Sequence, residues 1–436
     1  MEWSSWSGLA SATPTEVAHP ADTAAVVTAV EKARANGSTV KMVGSGHSFT
    51  AIAAPEGTML APDRLRGIIG VDRDALTVTA LAGTQLKVLN AELERLGLSL
   101  HNMGDIAEQT LAGATSTGTH GTGGVAAGLS AQIAALELVT GTGEVLRCTP
   151  EENADVLDLA RVGLGALGVL TTISFRVEPL FLLEAHEQPL GWDEALGGWD
   201  ERFDSHHHVD MYWFPHTDRF MAKTNDRLDA PLDEAERLPR WRGWLDDEFL
   251  SNTVFGGLTA AANRVPAAIP RMNRLTSRVL SERRYSDVAH RVFTTTRDVR
   301  FREMEYAVPR AAGPDVMREV RRVVDSSGWR ISFPVELRTA PADDVPLSTA
   351  YDRASCYFAF HTHWKSDLAD HEAYFGAMEA IVRDHGGRPH WGKLHTLGSA
   401  DLAASYPRFG DFLAMRDRLD PDRVFANTYL RRVLGD

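Results

Sequence analysis

Helical and strand patterns alternate through the first 180 residues of the chain. Apolar residues recur at helical spacing from about Asp22 to a glycine stop at Gly37, and again between Thr84 and Leu96. Runs rich in β-branched residues and leucine predict strands at 39–43, 76–81, 98–100, 132–140 and 169–177. The pattern therefore predicts a β/α region that ends near Pro179.

Two later stretches alternate between apolar and polar residues, as β-strands do. ISFPVELRT, residues 331–339, places Glu336 and Arg338 on the face opposite the apolar set. CYFAFHTHW, residues 356–364, places His361 and His363 together on one face. A charged stretch at 226–248 contains Pro and Trp and lacks strand alternation, so we expect an excursion or lid there.

Length and charge narrow the possible functions. At 436 residues the chain is longer than one hydrophobic core usually sustains, so we expect two domains. A net charge of −14 argues against a nucleic-acid partner, because phosphate binding requires clustered Lys and Arg. A small neutral or polar ligand fits this charge better.

Cysteine content and the absence of long apolar runs indicate the compartment. Cys148 and Cys356 are far apart in the sequence, which fits neither a disulfide framework nor a structural zinc site. MEWSSWSGLA has no basic segment and no apolar run of signal-peptide length, and no later stretch reaches about 18 uninterrupted apolar residues. We therefore expect a cytoplasmic protein without an integral membrane segment.

Two glycine-rich loops are the first candidates for a ligand site. VGSGHSFT, residues 43–50, directly follows a predicted strand, and its glycines let backbone N–H groups turn toward an anion. AGATSTGTHGTGG, residues 112–124, cannot form a core by itself, so its backbone and hydroxyl groups need a polar partner. Either loop alone could be a surface turn. Together in one β/α region they favour a phosphate or pyrophosphate site.

A G-x-G-x-x-G pattern occurs at Gly163, Gly165 and Gly168. In a dinucleotide-binding fingerprint this pattern follows a strand and opens a helix. Here a predicted helix at 152–161 comes before it, and the predicted strand at 169–177 comes after it. We therefore reject a Rossmann site.

The second half of the chain supplies candidates for chemistry. Glu336 and Arg338 lie roughly 7 Å apart along one strand face, which suits the orientation of a polyol. Lys393 in RPHWGKLH and the pair of His361 and His363 are further candidates. Taken singly, these groups are equally consistent with a surface ion pair, a solvated lysine and an edge-strand histidine pair.

Taken together, these motifs resemble a known family. VGSGHSFT, ATSTGTHGTG and LGALGVLT resemble the PCMH-type FAD-binding domain of the vanillyl-alcohol-oxidase superfamily. The E-x-R strand, the histidine strand, HWGK and the tail LDPDRVFANTYLRRVLG resemble the aldonolactone oxidoreductases, which include gulonolactone and arabinonolactone oxidases and dehydrogenases, and the related alditol oxidases. The resemblance implies an α+β fold in two domains, with a FAD-binding domain at 1–180, a substrate-binding cap on an antiparallel sheet at 181–387, and a segment at 388–436 that returns to the FAD domain.

The resemblance also implies the roles of individual residues. His47 would carry FAD covalently. Glu336, Arg338 and Lys393 would bind and activate the reacting hydroxyl group, and His361 would hold a neighbouring one. Whether Arg338 or Lys393 activates the hydroxyl stays open. The other residues implied at the cofactor are Gly44, Ser45, Gly46, Ser48, Gly113, Ala114, Thr115, Thr117, Gly118, His120, Gly121, Gly123, Gly168 and Val169.

The implied reaction is oxidation of a hydroxyl group of a small sugar-derived substrate by hydride transfer to flavin N5. An aldono-1,4-lactone is the expected substrate, and an alditol such as xylitol or sorbitol is the alternative. Molecular oxygen is the favoured electron acceptor because Gly113 and Ala114 are small, although the family also contains dehydrogenases that use other acceptors.

A remote alternative from another class is a metal-dependent lactone hydrolase. His361 and His363 with Glu336 would supply its ligands, joined by the cluster at 206–208, because imidazole and carboxylate suit borderline metals. This alternative leaves both glycine-rich loops unexplained. We therefore expect no metal, and we give still less weight to a flavin-containing binding protein without catalysis.

Overall fold

The computed structural model describes residues 2–238, 265–294 and 299–436. Their strands are β1 (Trp3–Ser4), β2 (Ser11–Ala12), β3 (Glu16–Ala18), β4 (Val40–Met42), β5 (Thr58–Leu60), β6 (Ile68–Asp72), β7 (Thr77–Leu81), β8 (Leu98–Ser99), β9 (Ile133–Val139), β10 (Val145–Cys148), β11 (Val169–Arg176), β12 (Glu178–Pro179), β13 (Leu182–Gly191), β14 (His208–Trp213), β15 (Arg219–Leu228), β16 (Arg283–Val288), β17 (Phe301–Pro309), β18 (Val335–Ala340), β19 (Ser355–His363) and β20 (Arg388–Pro389). Their α-helices are α1 (Thr23–Ala35), α2 (Leu86–Leu96), α3 (Leu111–Ser116), α4 (Ala154–Ala160), α5 (Trp192–Gly197), α6 (Trp199–Ser205), α7 (Ile269–Val279), α8 (Ala289–Phe293), α9 (Gly313–Ser327), α10 (Leu368–Asp384), α11 (Ser399–Ser405), α12 (Phe409–Leu419) and α13 (Thr428–Leu434).

The first half of the chain is built around an antiparallel sheet with the strand order β10, β9, β11, β7, β6. A smaller parallel sheet, in the order β3, β5, β4, lies in the same half, and β4 leads directly into the first glycine-rich loop. Helix α1 begins after Asp22, whose carboxylate accepts a hydrogen bond from the Ala25 N–H. It buries Val26 and Val30, as the helical spacing of apolar residues predicts.

The second half forms one large antiparallel sheet, which we call the cap sheet. Its strand order is β16, β13, β15, β14, β18, β19, β17, β20. Helix α9 packs against α10, and α10 packs against β17 and β19. In β18, Val335 and Leu337 are fully buried in the core, while Glu336 and Arg338 line a cavity. The sheet therefore has an apolar side and a side that carries polar groups.

The C-terminal residues bind the strand that precedes the first glycine-rich loop. The Val40 N–H donates to the Val424 carbonyl over 2.7 Å. The Lys41 Nζ donates to the Phe425 carbonyl, also over 2.7 Å. Asn427 caps α13 by accepting from the Leu430 N–H. The domain limits expected from the sequence, after residues 180 and 387, stay predictions.

Two local predictions are wrong. The strand expected at 331–339 begins only at Val335, because Pro334 has no N–H for the hydrogen-bond ladder. The excursion expected at 226–248 begins inside a strand, since β15 continues to Leu228 and pairs with Leu182. Residues 239–248 of that stretch lie outside the described residues.

The architecture confirms the predicted α+β class. Both large sheets are antiparallel, and helices flank them in each half of the chain. Within the three described ranges, we find no helix that is both long enough and apolar enough to cross a lipid bilayer.

Candidate active site

The two glycine-rich loops and the loop before β11 enclose one cavity, which we call the glycine-loop cavity. A side chain at Gly44 could not be accommodated, because its Cβ would lie 2.2 Å from Thr110 Oγ1. Gly46 has a φ of +70°, which L side chains rarely adopt. Close approach of Thr110, which precedes the second loop, and a left-handed turn therefore explain these two glycines.

Most of the expected cofactor residues line this cavity or the two that adjoin it. Those on the glycine-loop cavity are Gly44, Ser45, Gly46, His47, Ser48, Gly113, Thr117, Gly168 and Val169. His120 and Gly121 line the adjoining cavities. Ala114, Thr115, Gly118 and Gly123 do not appear on these walls within the described parts of the chain. Thr115 instead donates to the Leu111 carbonyl inside α3.

His47 connects the glycine-loop cavity to the polar groups of the second half. It lines that cavity and also a small one that contains Lys393. Its ring lies 5.8 Å from the Trp6 ring, centroid to centroid. Burial lowers the pKa of His47 below its usual range, Glu108 opposes this and Lys393 adds to it. A neutral imidazole is therefore favoured at His47, which is the form that can act as a nucleophile.

A larger cavity of about 450 Å³ lies along the polar side of the cap sheet, and we call it the cap cavity. Glu336, Arg338 and His361 line it. The same three residues also line the small cavity that contains His47 and Lys393. The structure thus brings together all four residues that the sequence analysis expects at the reacting hydroxyl group, although they come from β18, β19 and the segment after β20.

Arg338 and Glu336 form a buried pair that a neighbouring strand holds in place. Arg338 Nη2 donates to Glu336 Oε1, and Tyr212 Oη donates to the same oxygen over 2.8 Å. Arg338 Nε donates to Asp210 Oδ1 over 3.1 Å. Asp210 and Tyr212 lie on β14 directly opposite Arg338 and Glu336. Each member of the pair is therefore oriented by its own cross-strand partner.

The carboxyl group of Asp210 has a raised pKa. Burial raises its pKa to about 6, Arg338 opposes this shift, and Glu336 adds to it. The same carboxylates, Glu336 first, raise the pKa of the Arg338 guanidinium well above its usual range despite its burial. The cation is consequently permanent, whereas one of its two anionic partners titrates near neutral pH.

Lys393 is paired with Glu303, a residue on β17. Lys393 Nζ donates to Glu303 Oε2, and His361 Nε2 lies 3.6 Å from the other carboxylate oxygen. Burial alone would raise the pKa of Glu303, but Lys393 and His361 lower it to about 2. Lys393 Nζ also lies 5.0 Å from the centre of the Phe49 ring. The carboxylate of Glu303 therefore holds the Lys393 ammonium at the wall of the site, beside the His361 ring.

Glu305, two residues further along β17, is buried between His120 and His390. His120 Nε2 lies 3.3 Å from Glu305 Oε1. Burial alone would raise the pKa of Glu305, but the neighbouring His120 lowers it well below its usual range. Alternate positions of one strand thus carry two carboxylates, each beside cations or imidazoles from other parts of the chain.

His120, Glu305 and His390 could in principle hold a metal ion, since one donor atom of each lies within 4.8 Å of the others. The tautomer of His390 argues against this. Gly392 N–H donates to His390 Nδ1 over 3.0 Å, so the ring proton is on Nε2. Burial also lowers the pKa of His390 to about 3, which keeps the ring neutral. The ring therefore offers no free lone pair to a metal without breaking a buried hydrogen bond.

The metal ligands proposed for a hydrolase do not assemble. Within the described ranges, the group at 120, 305 and 390 is the one cluster whose donors approach closely enough, and it contains none of them. His363 lines a separate groove on the far side of His361, together with His371. His207 and His208 contact each other through Nδ1 at 2.9 Å, next to Phe293.

Several residues of the site were not identified from the sequence. Asp210 and Tyr212 alternate in DMYW, and Glu303 and Glu305 alternate in FREMEYA, with the same two-residue period that identified Glu336 and Arg338. The signal was therefore present in β14 and β17. His390 had no such signal, because it lies in the short strand and turn after Gly387.

Two family models match the chain. The model described as "D-arabinono-1,4-lactone oxidase" matches residues 173–433, and the model described as "FAD binding domain" matches residues 14–149. Together these ranges include both glycine-rich loops, the whole cap sheet and the segment that carries Lys393.

Known proteins agree with these matches. The L-gulono-1,4-lactone dehydrogenase of Mycobacterium tuberculosis is 40% identical over 433 residues, which cover 99% of each chain. The L-gulonolactone oxidase of Scyliorhinus torazame is 30% identical over 437 residues, covering 99% of this chain and 98% of that one. The solved cholesterol oxidase from B. sterolicum superposes with a TM-score of 0.80 over 99% of this chain and 96% of that one, at 16% identity, which confirms the predicted PCMH-type fold. The chain therefore belongs to the D-arabinono-1,4-lactone oxidase family of FAD-dependent oxidoreductases.

Proposed function

We propose that this protein oxidises a hydroxyl group of an aldono-1,4-lactone, with FAD as the hydride acceptor. One observation carries the proposal: Arg338 and Lys393, each paired with a buried carboxylate, face a cavity that adjoins the glycine-loop cavity. Relatives named for L-gulono-1,4-lactone and D-arabinono-1,4-lactone support this substrate class. The flavin cofactor and the sugar substrate thus meet where the two halves of the chain meet.

The glycine loops fit FAD. Gly44 and Gly168 line the cavity, and a larger residue is excluded at both, because a Cβ would meet Thr110 at Gly44 and would lie 2.8 Å from Leu138 Cδ1 at Gly168. Backbone N–H groups in such loops suit a pyrophosphate. His47 is the proposed point of covalent attachment. When bound, FAD supplies the two-electron acceptor for the hydride.

The chain's own residues orient the substrate and handle its charge. Oxidation removes a hydride from the carbinol carbon and a proton from its hydroxyl group, which leaves a ketone. Arg338 and Lys393 donate to the reacting oxygen and favour its alkoxide character. Both are already paired with carboxylates, so they act as hydrogen-bond donors and not as bases. Glu336 Oε2, the oxygen that Tyr212 and Arg338 do not use, is the proposed proton acceptor.

His361 and Glu303 complete the proposed site. His361 Nδ1 donates to the Pro334 carbonyl over 3.2 Å, which fixes the ring and directs Nε2 toward Glu303. A neighbouring hydroxyl group of the lactone can bind there. Glu303, with a pKa of about 2, is too weak a base to take the substrate proton and serves as the counterion of Lys393.

The proposal also covers the electron acceptor that reoxidises the flavin and the cellular location of the protein. Gly113 lines the glycine-loop cavity and leaves space beside it, which supports access of molecular oxygen. Relatives named as a dehydrogenase and as oxidases both match the chain over nearly its whole length, so the reoxidation step has to be measured. The low cysteine content supports a cytoplasmic location.

The substrate prediction is tested by anaerobic flavin reduction. L-Gulono-1,4-lactone and D-arabinono-1,4-lactone should bleach the flavin at least about tenfold faster than xylitol or sorbitol, a difference of ~1.4 kcal/mol in activation free energy. Stopped-flow absorbance gives the rates, and readmission of air then measures reoxidation. Faster bleaching by the alditols would establish the alditol oxidase instead. Release of free acid without bleaching would establish a lactone hydrolase.

The attachment prediction concerns His47. In wild-type protein the flavin should remain with the chain after denaturation and gel electrophoresis, and in His47→Ala it should be released, because no other imidazole is proposed to bond to it. His19→Ala is the matched control, since His19 is largely exposed and pairs with Asp63. Wild-type flavin that separates on denaturation would show that no covalent bond exists.

The pH prediction concerns Asp210. Because the pKa of Asp210 is about 6, its carboxylate takes up a proton as the pH falls through 6. The neutral carboxyl group then no longer forms an ion pair with Arg338. Wild-type kcat/KM for a lactone should therefore fall on the acid side with a midpoint near that value. Asp210→Asn should lower kcat/KM about tenfold at pH 8 and lack this step. Tyr212→Phe, which removes the hydrogen bond to Glu336 and leaves the Asp210 carboxyl group in place, should keep the step. An unchanged acid limb in Asp210→Asn would contradict the assignment.

A further inference from the structure

A row of alternating charges crosses five strands of the cap sheet. In the order of the strands it consists of Arg283, Glu187, Lys223, Asp210 and Arg338, and each is the cross-strand partner of the next. All five residues line the cap cavity. Directly opposed residues of an antiparallel sheet project on the same side of it. The row therefore forms a polar floor that runs from the β16 edge of the sheet to the proposed catalytic pair.

The two ends of this row are closed ion pairs. Arg283 donates to both oxygens of Glu187, over 2.7 and 2.9 Å. Arg338 donates to Asp210 over 3.1 Å. Paired charges of this kind orient each other and have little capacity left for a strongly charged ligand. The charged side chains at both ends of the row are therefore held in position by their own ion pairs.

Lys223, at the middle of the row, differs from the charges at the two ends in its pairing. It lies between Glu187 and Asp210 in the strand register, yet forms a salt bridge with neither of them in the part of the chain that is described. Its Nζ donates to the Val292 carbonyl over 2.9 Å. Burial would lower the pKa of Lys223, but Tyr285, Glu187 and Asp210 raise it above its usual value, so the ammonium stays charged. A charged donor and two carboxylates therefore lie side by side on the floor of the cavity.

A hydroxyl group suits this arrangement, because it can accept from an ammonium and donate to a carboxylate at the same time. A row of hydroxyl groups, as on the open chain attached to a lactone ring, could bind several of these charges in succession. Arg338 belongs both to the row and to the proposed catalytic pair. A lactone ring bound at Arg338 would therefore direct its hydroxylated chain along the row toward Lys223.

We propose that Lys223, between Glu187 and Asp210, forms a second subsite of the cap cavity that binds the hydroxyl groups of the chain attached to the lactone ring. Lys223 is thus a specificity-determining residue, which favours lactones that carry a hydroxylated chain over the bare ring. The inference deepens the proposed function and depends on it for the position of the ring.

The test compares two substrates in the flavin-loaded enzyme. L-Gulono-1,4-lactone carries a dihydroxyethyl chain, and 2,3-dihydroxy-γ-butyrolactone is the same dihydroxylated ring without the chain. Lys223→Met keeps the length of the side chain but removes its charge. It should raise KM for the gulonolactone about tenfold, leave kcat within about threefold, and change KM for the bare ring by less than about threefold. Lys223→Arg should restore most of the difference between the substrates.

Controls separate this inference from the proposed function. Lys32→Met, at an exposed salt bridge of α1, should change neither KM. Binding of gulonolactone to enzyme whose flavin has been reduced beforehand, measured by anaerobic calorimetry, should weaken about tenfold in Lys223→Met, independently of turnover. Equal effects on both substrates, or no effect on either, would overturn the subsite alone. Wild-type enzyme that neither binds nor oxidises any lactone would overturn the proposed function and the subsite with it.

Discussion

The whole site depends on two carboxylates that are buried in strand β17. Glu303 and Glu305 lie two residues apart and face the same side, so their charges must be neutralised by groups from other segments. An unpaired buried carboxylate would cost several kcal/mol, which makes docking of the partner segments compulsory. Lys393 arrives from the C-terminal segment and His120 from the second glycine-rich loop. Backbone bonds support this, since the Leu394 N–H donates to the Glu303 carbonyl over 3.0 Å.

This constraint explains how a cavity between separate parts of the chain can hold cations in fixed positions. Lys393 and Arg338 would repel each other and be costly to bury if each did not have its own carboxylate. The pairing with Glu303 and Glu336 gives each cation its own counterion while keeping both donors at the cavity wall. Preorganised donors of this kind act where negative charge develops, and they need little rearrangement during the reaction. Asp210 adds a group with a pKa of about 6, so the charge next to Arg338 changes with pH near neutrality.

The sequence predicted what is local and periodic. The helix after Asp22 and the common face of Glu336 and Arg338 followed from spacing, whereas the α+β class and the FAD-binding family followed from the family resemblance of the motifs. Glu303 follows the same two-residue alternation, but its role in the site depends on its ion pair with Lys393, ninety residues later in the chain. No pattern within one strand identifies a partner at that distance. The strand expected before Val335 failed because a single proline outweighs the alternation of its neighbours. Which side chains of the second glycine-rich loop face inward was equally inaccessible, since this depends on how α3 packs.

The most direct test of this account is the limiting rate of anaerobic flavin reduction by an aldonolactone in Lys393→Met, measured by stopped flow. Methionine keeps the length of the side chain and removes the charge that Glu303 holds at the cavity wall. The account predicts a rate on the order of 100-fold lower, with the absorbance spectrum of the oxidised flavin unchanged, because one charged donor at the reacting oxygen is lost. A rate within about threefold of the wild type would contradict it, since that is less than the ~1.4 kcal/mol of a tenfold effect.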